Sequence, residues 1–269
     1  MKLRRTATYV TSLLAAVTLA LTGASAAAAA DAQAAGGYVA LGDSYSSGVG
    51  AGSYDSGSGD CRRTPKAYPA LWAAANSPAS FSFVACSGAK TGDVLANQMG
   101  PLNSSTGLVS LTIGGNDAGF ADVMTTCVLQ SEANCVARVN TAKTFVQNSL
   151  PAKLDSVYSQ VRAKAPSAKV VVLGYPRFYK LNGSCIAGLT EGERSAINGA
   201  ADLLNSVISK RAADHGYAYG DIAAAFTGHE ICSGDSWLHS VKWTGINDSY
   251  HPTAAGQSGG YLPVLSSKA

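Results

Sequence analysis

The chain has 269 residues, 46% hydrophobic and 14% charged, with a formal net charge of +3. A chain so close to neutral lacks the broad basic surface that nucleic-acid binding requires. Beyond its first two dozen residues no apolar run is long enough to cross a bilayer.

In chain order, the first element is a leader. Lys2, Arg4 and Arg5 are followed by an almost uncharged run from Tyr9 to Leu21, rich in Leu, Val and Ala, and then by small residues from Gly23 to Ala35. Ala-x-Ala sites stand at Ala24–Ala26 and Ala32–Ala34. This is the layout of a cleaved secretory signal, with an apolar core too short to serve comfortably as an anchor. Thr6-Ala7-Thr8, after Arg4-Arg5, lacks the apolar residues that usually follow a twin-arginine pair, which favours the general secretory route. Residues 1–34 are therefore expected to be removed, leaving 35–269 as one secreted domain. Their loss takes away three cations (Lys2, Arg4, Arg5) and one anion (Asp31), so the formal charge falls from +3 to +1.

Tyr38–Leu41 reads as a first strand, broken at once by Gly42-Asp43. Tyr68, Leu71, Trp72 and Ala75 share a helical face, Phe81–Ala85 reads as a second strand, and Leu108–Ile113 as a third. Between them the Gly- and Ser-rich run Gly48–Gly59 reads as a surface loop. Val136 to Ala165 is helix-like, with Pro151 marking a break or kink. Lys169–Leu173 is the clearest buried strand, because a continuous β-branched run suits a sheet covered on both faces. Thr190-x-x-Glu193 is a capping box opening a helix, Tyr217–Ile222 is a weaker strand, and a last helix is expected from Pro252. Strands separated by helices imply an α/β fold, a parallel sheet between two helical layers, with its site at the carboxyl ends of the strands.

All six cysteines, Cys61, Cys86, Cys127, Cys135, Cys185 and Cys232, follow the leader. An even number after an export signal reads as disulfides. Cys127 and Cys135 are close enough for a local loop, and pairing the others as neighbours in order gives Cys61–Cys86 and Cys185–Cys232. A zinc site is the rival, but no Cys-x-x-Cys pair supports one.

Four strand ends or loops carry chemistry. Gly42-Asp43-Ser44 follows the first strand, where a serine on a tight turn can present its hydroxyl at the sheet edge. Alone, the triplet reads more readily as an ordinary turn. Cys86-Ser87-Gly88 follows the second strand, and a glycine there lets a backbone N–H approach a ligand. The plain alternative is a helix cap by Ser87. Gly114-Gly115-Asn116-Asp117 follows the third, where the Asn116 amide can meet a developing oxyanion or simply complete a turn. Asp248-Ser249-Tyr250-His251-Pro252 offers a general base, with Asp248 placed to orient the ring. His229-Glu230 starts like a zinc-protease helix, but Ser233 stands where the second histidine belongs. Trp237, Leu238, Trp243, Ile246 and Tyr250 crowd the segment before His251, as core or as an acyl groove.

Taken together, Ser44, Gly88, Asn116 and His251 in these settings resemble the four blocks of the SGNH (GDSL) hydrolases, over about Tyr38 to Leu262. Gly42 to Gly48 and the six cysteines are similar to the secreted streptomycete lipases and phospholipases A1 of that family. The resemblance implies a flavodoxin-like three-layer fold, no metal or other cofactor, and hydrolysis of acyl esters in lipids. It gives Ser44 as nucleophile, His251 as base, Asp248 as third member, and Ser44, Gly88 and Asn116 as oxyanion donors; the alternative to the Asp248 carboxylate is a backbone carbonyl of Asp248 or Ser249 taking the ring proton, as in the dyads of some secreted actinobacterial relatives. The expected partner is a lipid ester or phospholipid met at an interface, the expected state a monomer. Tyr45 stands where the nominal motif has Leu, a departure with no expected consequence because residue 45 does not react. Two other readings stay open: a carbohydrate or small-ester deacetylase of the same fold, and a non-catalytic binding module, which would have no need of both base and oxyanion donors.

Overall fold

Lys169–Leu173, the most β-branched run of the sequence, forms strand β4, an interior strand of a five-stranded sheet, with Val170 to Leu173 all buried. The computed structural model describes residues 36–185 and 188–269, so the expected leader lies outside the described residues. The other strands are β1 (Gly37–Gly42), β2 (Phe81–Phe83), β3 (Thr106–Thr112) and β5 (Ala218–Gly220). All neighbours pair in parallel, in the order β2-β1-β3-β4-β5. This is the flavodoxin-like order, in which the chain leaves β1 toward one edge and later builds toward the other from β3. The crevice beyond the carboxyl ends of β1 and β3 is where such a sheet holds its ligand.

Parallel neighbours require crossover connections, and helices form these between the strands. The helices Glu132–Asn148, Leu150–Lys164 and Glu191–Asp214 pack on one another as one layer, while Tyr68–Asn76 packs against the C-terminal helical residues 254–266. Between them the core is closed by fully buried Tyr38, Leu41, Leu111, Ile113, Leu154, Leu173 and Ile208.

The helix-like run from Val136 is divided at Ser149, and Pro151 lies in the first turn of the second helix, where its missing N–H costs nothing. Thr190 and Glu193 exchange hydrogen bonds as a capping box. Two departures have local causes. The last helix does not start at Pro252, which pairs with Leu238 in an antiparallel bridge; Thr253 caps the helix instead, its Oγ1 accepting from Gly256 N–H at 3.2 Å. The helix Phe120–Leu129 has no counterpart in the sequence reading, because it leaves a left-handed Gly119 without any side-chain cap.

Three disulfides join Cys61 to Cys86, Cys127 to Cys135 and Cys185 to Cys232. The first ties the Gly48–Gly59 region to the turn that carries Gly88; the second couples Phe120–Leu129 to Glu132–Asn148.

Candidate active site

Strand β1 ends at Gly42, whose φ of +119° and close approach to β3 both demand glycine: a Cβ there would lie 2.4 Å from the Thr112 carbonyl oxygen. The buried Gln98 amide clamps this residue, accepting from its N–H at 2.7 Å and donating to its carbonyl at 2.9 Å. Asp43 then caps a single helical turn, Ser44–Ser47, its Oδ1 accepting from Tyr45 N–H at 3.0 Å. The Ser46 hydroxyl pins the turn to β3 by accepting from Thr112 N–H at 3.0 Å. Ser44 is thus the first residue of the turn, so its N–H has no intrahelical partner.

His251 comes from the other end of the chain. His239 and His251 pair through their main chains (His239 N–H to His251 C=O, 3.0 Å), next to the Leu238–Pro252 bridge. Its Nε2 lies 2.8 Å from Ser44 Oγ and its Nδ1 3.0 Å from the Ser249 carbonyl oxygen. A carbonyl can only accept, so Nδ1 carries the proton and Nε2 is left to accept from the serine hydroxyl. Burial pulls the imidazole down to about 4, against a smaller upward pull from the Ser249 hydrogen bond, so the ring is neutral near pH 7.

Of the two expected partners for the His251 ring, the Asp248 carboxylate is not the one beside it. That carboxylate does not reach the ring: Oδ1 accepts from Tyr54 OH at 2.8 Å and Oδ2 from Lys242 Nζ at 2.8 Å, with Arg62 Nη1 3.6 Å from Oδ1. Two hydrogen-bond donors and the Arg62 guanidinium hold the carboxylate outward, and the Ser249 carbonyl takes the ring proton instead.

Gly88 has φ +79°, the left-handed region that favours glycine, and nothing crowds its missing Cβ. The requirement there is conformational. The Asn116 amide donates one hydrogen to the Ala89 carbonyl at 3.0 Å, which fixes the orientation of the side chain. Asp117 braces the same region, accepting from Thr91 N–H and Oγ1 at 2.9 and 2.6 Å. Ser44, Gly88, Asn116 and His251 all line one cavity of about 530 Å³. Its walls run away from Ser44 between Phe120, Met124, Val146, Phe178, Ile197 and Leu204, a largely apolar channel. Of the segment before His251, Trp243, Ile246 and Tyr250 line the cavity, whereas Trp237 packs on Phe226 and stacks on His229 at 3.6 Å.

Residues 40–258 match the GDSL-like Lipase/Acylhydrolase family. The chain belongs to that family. Lipase 1 of Streptomyces coelicolor is 65% identical over 261 residues, 97% of each chain. Among solved structures, phospholipase A1 from Streptomyces albidoflavus is 92% identical, with a TM-score of 0.86 over 87% of this chain and all of the other. The extracellular lipase of Streptomyces rimosus is 64% identical, with a TM-score of 0.85 over the same shares.

Within the GDSL family pattern, Tyr45 occupies the nominal leucine position, and the structure gives that departure a consequence the sequence reading missed. Its hydroxyl donates to the Tyr250 carbonyl at 2.7 Å, tying the serine turn directly to the residue before His251. Tyr250 itself is held at φ +65°, uncommon for a non-glycine residue. Tyr175 was also missed: its hydroxyl donates to Asp43 Oδ2 and accepts from Gly115 N–H. Neither contact leaves a local signal, since the partners are 205, 132 and 60 positions away.

Proposed function

We propose that this GDSL-family ester hydrolase is a secreted enzyme that releases fatty acid from phospholipids, a phospholipase A1 with lipase and esterase activity, acting through a Ser44–His251 pair. The observation that carries the reading is the 2.8 Å contact between Ser44 Oγ and His251 Nε2 at the end of an apolar cavity of about 530 Å³. The names of the phospholipase A1 and the two lipases support the substrate class.

In the reaction, Ser44 Oγ attacks the ester carbonyl as His251 Nε2 takes its proton. The Ser249 carbonyl, bonded to Nδ1–H, holds the ring in place and favours the imidazolium that forms. Ser44 N–H, Gly88 N–H and the free hydrogen of the Asn116 amide meet the oxyanion, whose charge develops only on the way to the tetrahedral intermediate. The carbon–oxygen bond then breaks as His251 returns the proton to the leaving alcohol, and water, deprotonated in turn by His251, releases the acid from Ser44. Acetyl esters would leave most of the apolar channel empty, which disfavours the deacetylase alternative.

Residues 1–34 are the proposed secretory signal. Three disulfides in the remaining chain suit an oxidising compartment. The test of function is product analysis on a phospholipid bearing different chains at its two positions. Predominant release from the first glycerol position is expected; release from the second, or activity limited to acetyl esters, would overturn the reading.

A further inference from the structure

Single exposed apolar side chains carry little information, but their grouping does. Among the described residues the large apolar side chains left exposed are Phe81, Leu129, Leu181, Trp243 and Ile246. The three most exposed, Trp243 at 72%, Leu129 at 66% and Ile246 at 58%, all line the cavity above Ser44. Being both exposed and cavity-lining, they form its rim. They come from two separate elements: Leu129 ends the helix Phe120–Leu129, while Trp243 and Ile246 stand on the segment leading to His251.

The charges around this rim are also sorted. Among the described residues no lysine, arginine or exposed carboxylate lines the cavity; Asp43, the one carboxylate among them, is buried. Lys242, next to Trp243 in the chain, and Arg62 share the carboxylate of Asp248, two cations on one anion two residues from Ile246.

We infer that Leu129, Trp243 and Ile246 are the surface by which the enzyme docks on a phospholipid layer, with the Lys242–Arg62–Asp248 cluster facing the phosphate headgroups. The inference rests on the proposed lipid substrate and names how it is reached. An acyl chain leaving an aggregate for the cavity must otherwise cross water with its methylenes exposed; lips sunk in the layer make the path continuous. Tryptophan, apolar in body with one N–H donor, suits headgroup depth, and a local excess of cation suits an anionic surface. A second copy of the chain fits less well, since three side chains fall far short of the roughly 800 Å² per partner of a stable interface.

The test uses the chain carrying Ser44→Ala, so that vesicles of phosphatidylcholine with phosphatidylglycerol stay intact. Trp243 is the one exposed tryptophan of three, Trp72 and Trp237 being partly buried, so its emission reports the rim. Vesicles should shift that emission to the blue, and acyl chains carrying bromine should quench it; both responses should vanish in Trp243→Phe. Ile246→Asp and Leu129→Asp should each weaken vesicle partitioning about tenfold or more, because a carboxylate resists entering the layer, without moving the thermal midpoint. Leu181→Asp, exposed but outside the cavity lining, should bind as the parent does. Partitioning indifferent to Ile246→Asp and Leu129→Asp would overturn the inference, as would a dimer in sedimentation that the same substitutions dissolve. If the unsubstituted enzyme hydrolyses the vesicles while binding ignores the rim, the function stands and the docking surface falls. Rim-dependent binding without any hydrolysis supports the docking surface and sinks the reading of function.

Discussion

The Tyr175 hydroxyl donates to Asp43 Oδ2 at 2.5 Å while accepting from Gly115 N–H at 3.2 Å, so one phenol joins the serine turn to the turn that carries Asn116. Asn205 in turn pins the Tyr175 main chain on both sides, accepting from its N–H and donating to its carbonyl, each at 2.8 Å. Ser44 and Asn116, the proposed nucleophile and oxyanion donor, are thereby linked through one residue that hydrogen-bonds to their chain neighbours Asp43 and Gly115.

Tyr175→Phe removes that link without opening a cavity. A buried carboxylate then loses one of its three donors, for a stability loss of about 1.5–3 kcal/mol. We expect kcat to fall roughly tenfold, about 1.4 kcal/mol of positioning, with KM for a soluble ester nearly unchanged. Steady-state kinetics on such an ester decide it: a change in KM alone would make Tyr175 a wall of the cavity and nothing more.

Opposed shifts at Asp43 and His251 give a second expectation. Burial pushes Asp43 up to about 6, so between its unfolded value of 3.8 and 6 the folded state binds the extra proton, and this contribution to stability grows as pH falls. His251 is pulled down to about 4 from 6.5, so there the unfolded state binds the extra proton and stability is lost as pH falls. The two nearly cancel from pH 6 to pH 4. Chemical denaturation of His251→Ala should therefore show stability rising on acidification, by up to about 2–3 kcal/mol, while Asp43→Asn should show it falling. Parallel profiles for the two variants would contradict the assignment.

Much of this arrangement is legible in the sequence because the positions lie at the ends of strands. Ser44, Gly88 and Asn116 each follow an apolar run ended by turn residues, and the doubly wound topology brings such turns to one edge of the sheet. What is not legible depends on partners far along the chain. Whether a carboxylate or a carbonyl meets His251 is decided by Tyr54, Lys242 and Arg62, which hold Asp248 away. The same holds for Tyr45 and Tyr175, tyrosines that read as core until their hydroxyls are located. The Phe120–Leu129 helix, one wall of the cavity, announces itself with no cap.

Tyr45→Phe tests the bond between the serine turn and Tyr250, the residue before His251. The Tyr250 carbonyl loses its donor, and the left-handed residue before His251 loses a tether. A drop in kcat of about five- to tenfold is expected, in keeping with one buried hydrogen bond of roughly 1 kcal/mol. The Leu found in the nominal family motif should not rescue it, because this loop relies on a donor that leucine lacks. Full activity in Tyr45→Phe would mean that the His239 and Pro252 pairings suffice to hold His251.

Asp248→Asn separates a carbonyl-supported pair from a triad. When a carboxylate is the ring's partner, converting it to the amide reverses the tautomer and removes about 10⁴-fold in rate. Here the proton acceptor is the Ser249 carbonyl, 3.0 Å from Nδ1, and it survives the change. What disappears is a nearby negative charge that holds the imidazole up, so the His251 value should drop slightly further. The acid limb of kcat/KM should accordingly move to lower pH, with a rate loss of no more than about tenfold at neutral pH. Stability should fall as well, since Lys242 and Arg62 lose their shared partner, and a partly buried charged hydrogen bond of this kind contributes about 1 kcal/mol. A pH–rate series on a soluble ester measures all of this except the stability. A loss of several thousandfold, or an acid limb displaced upward, would return Asp248 to the role of ring partner.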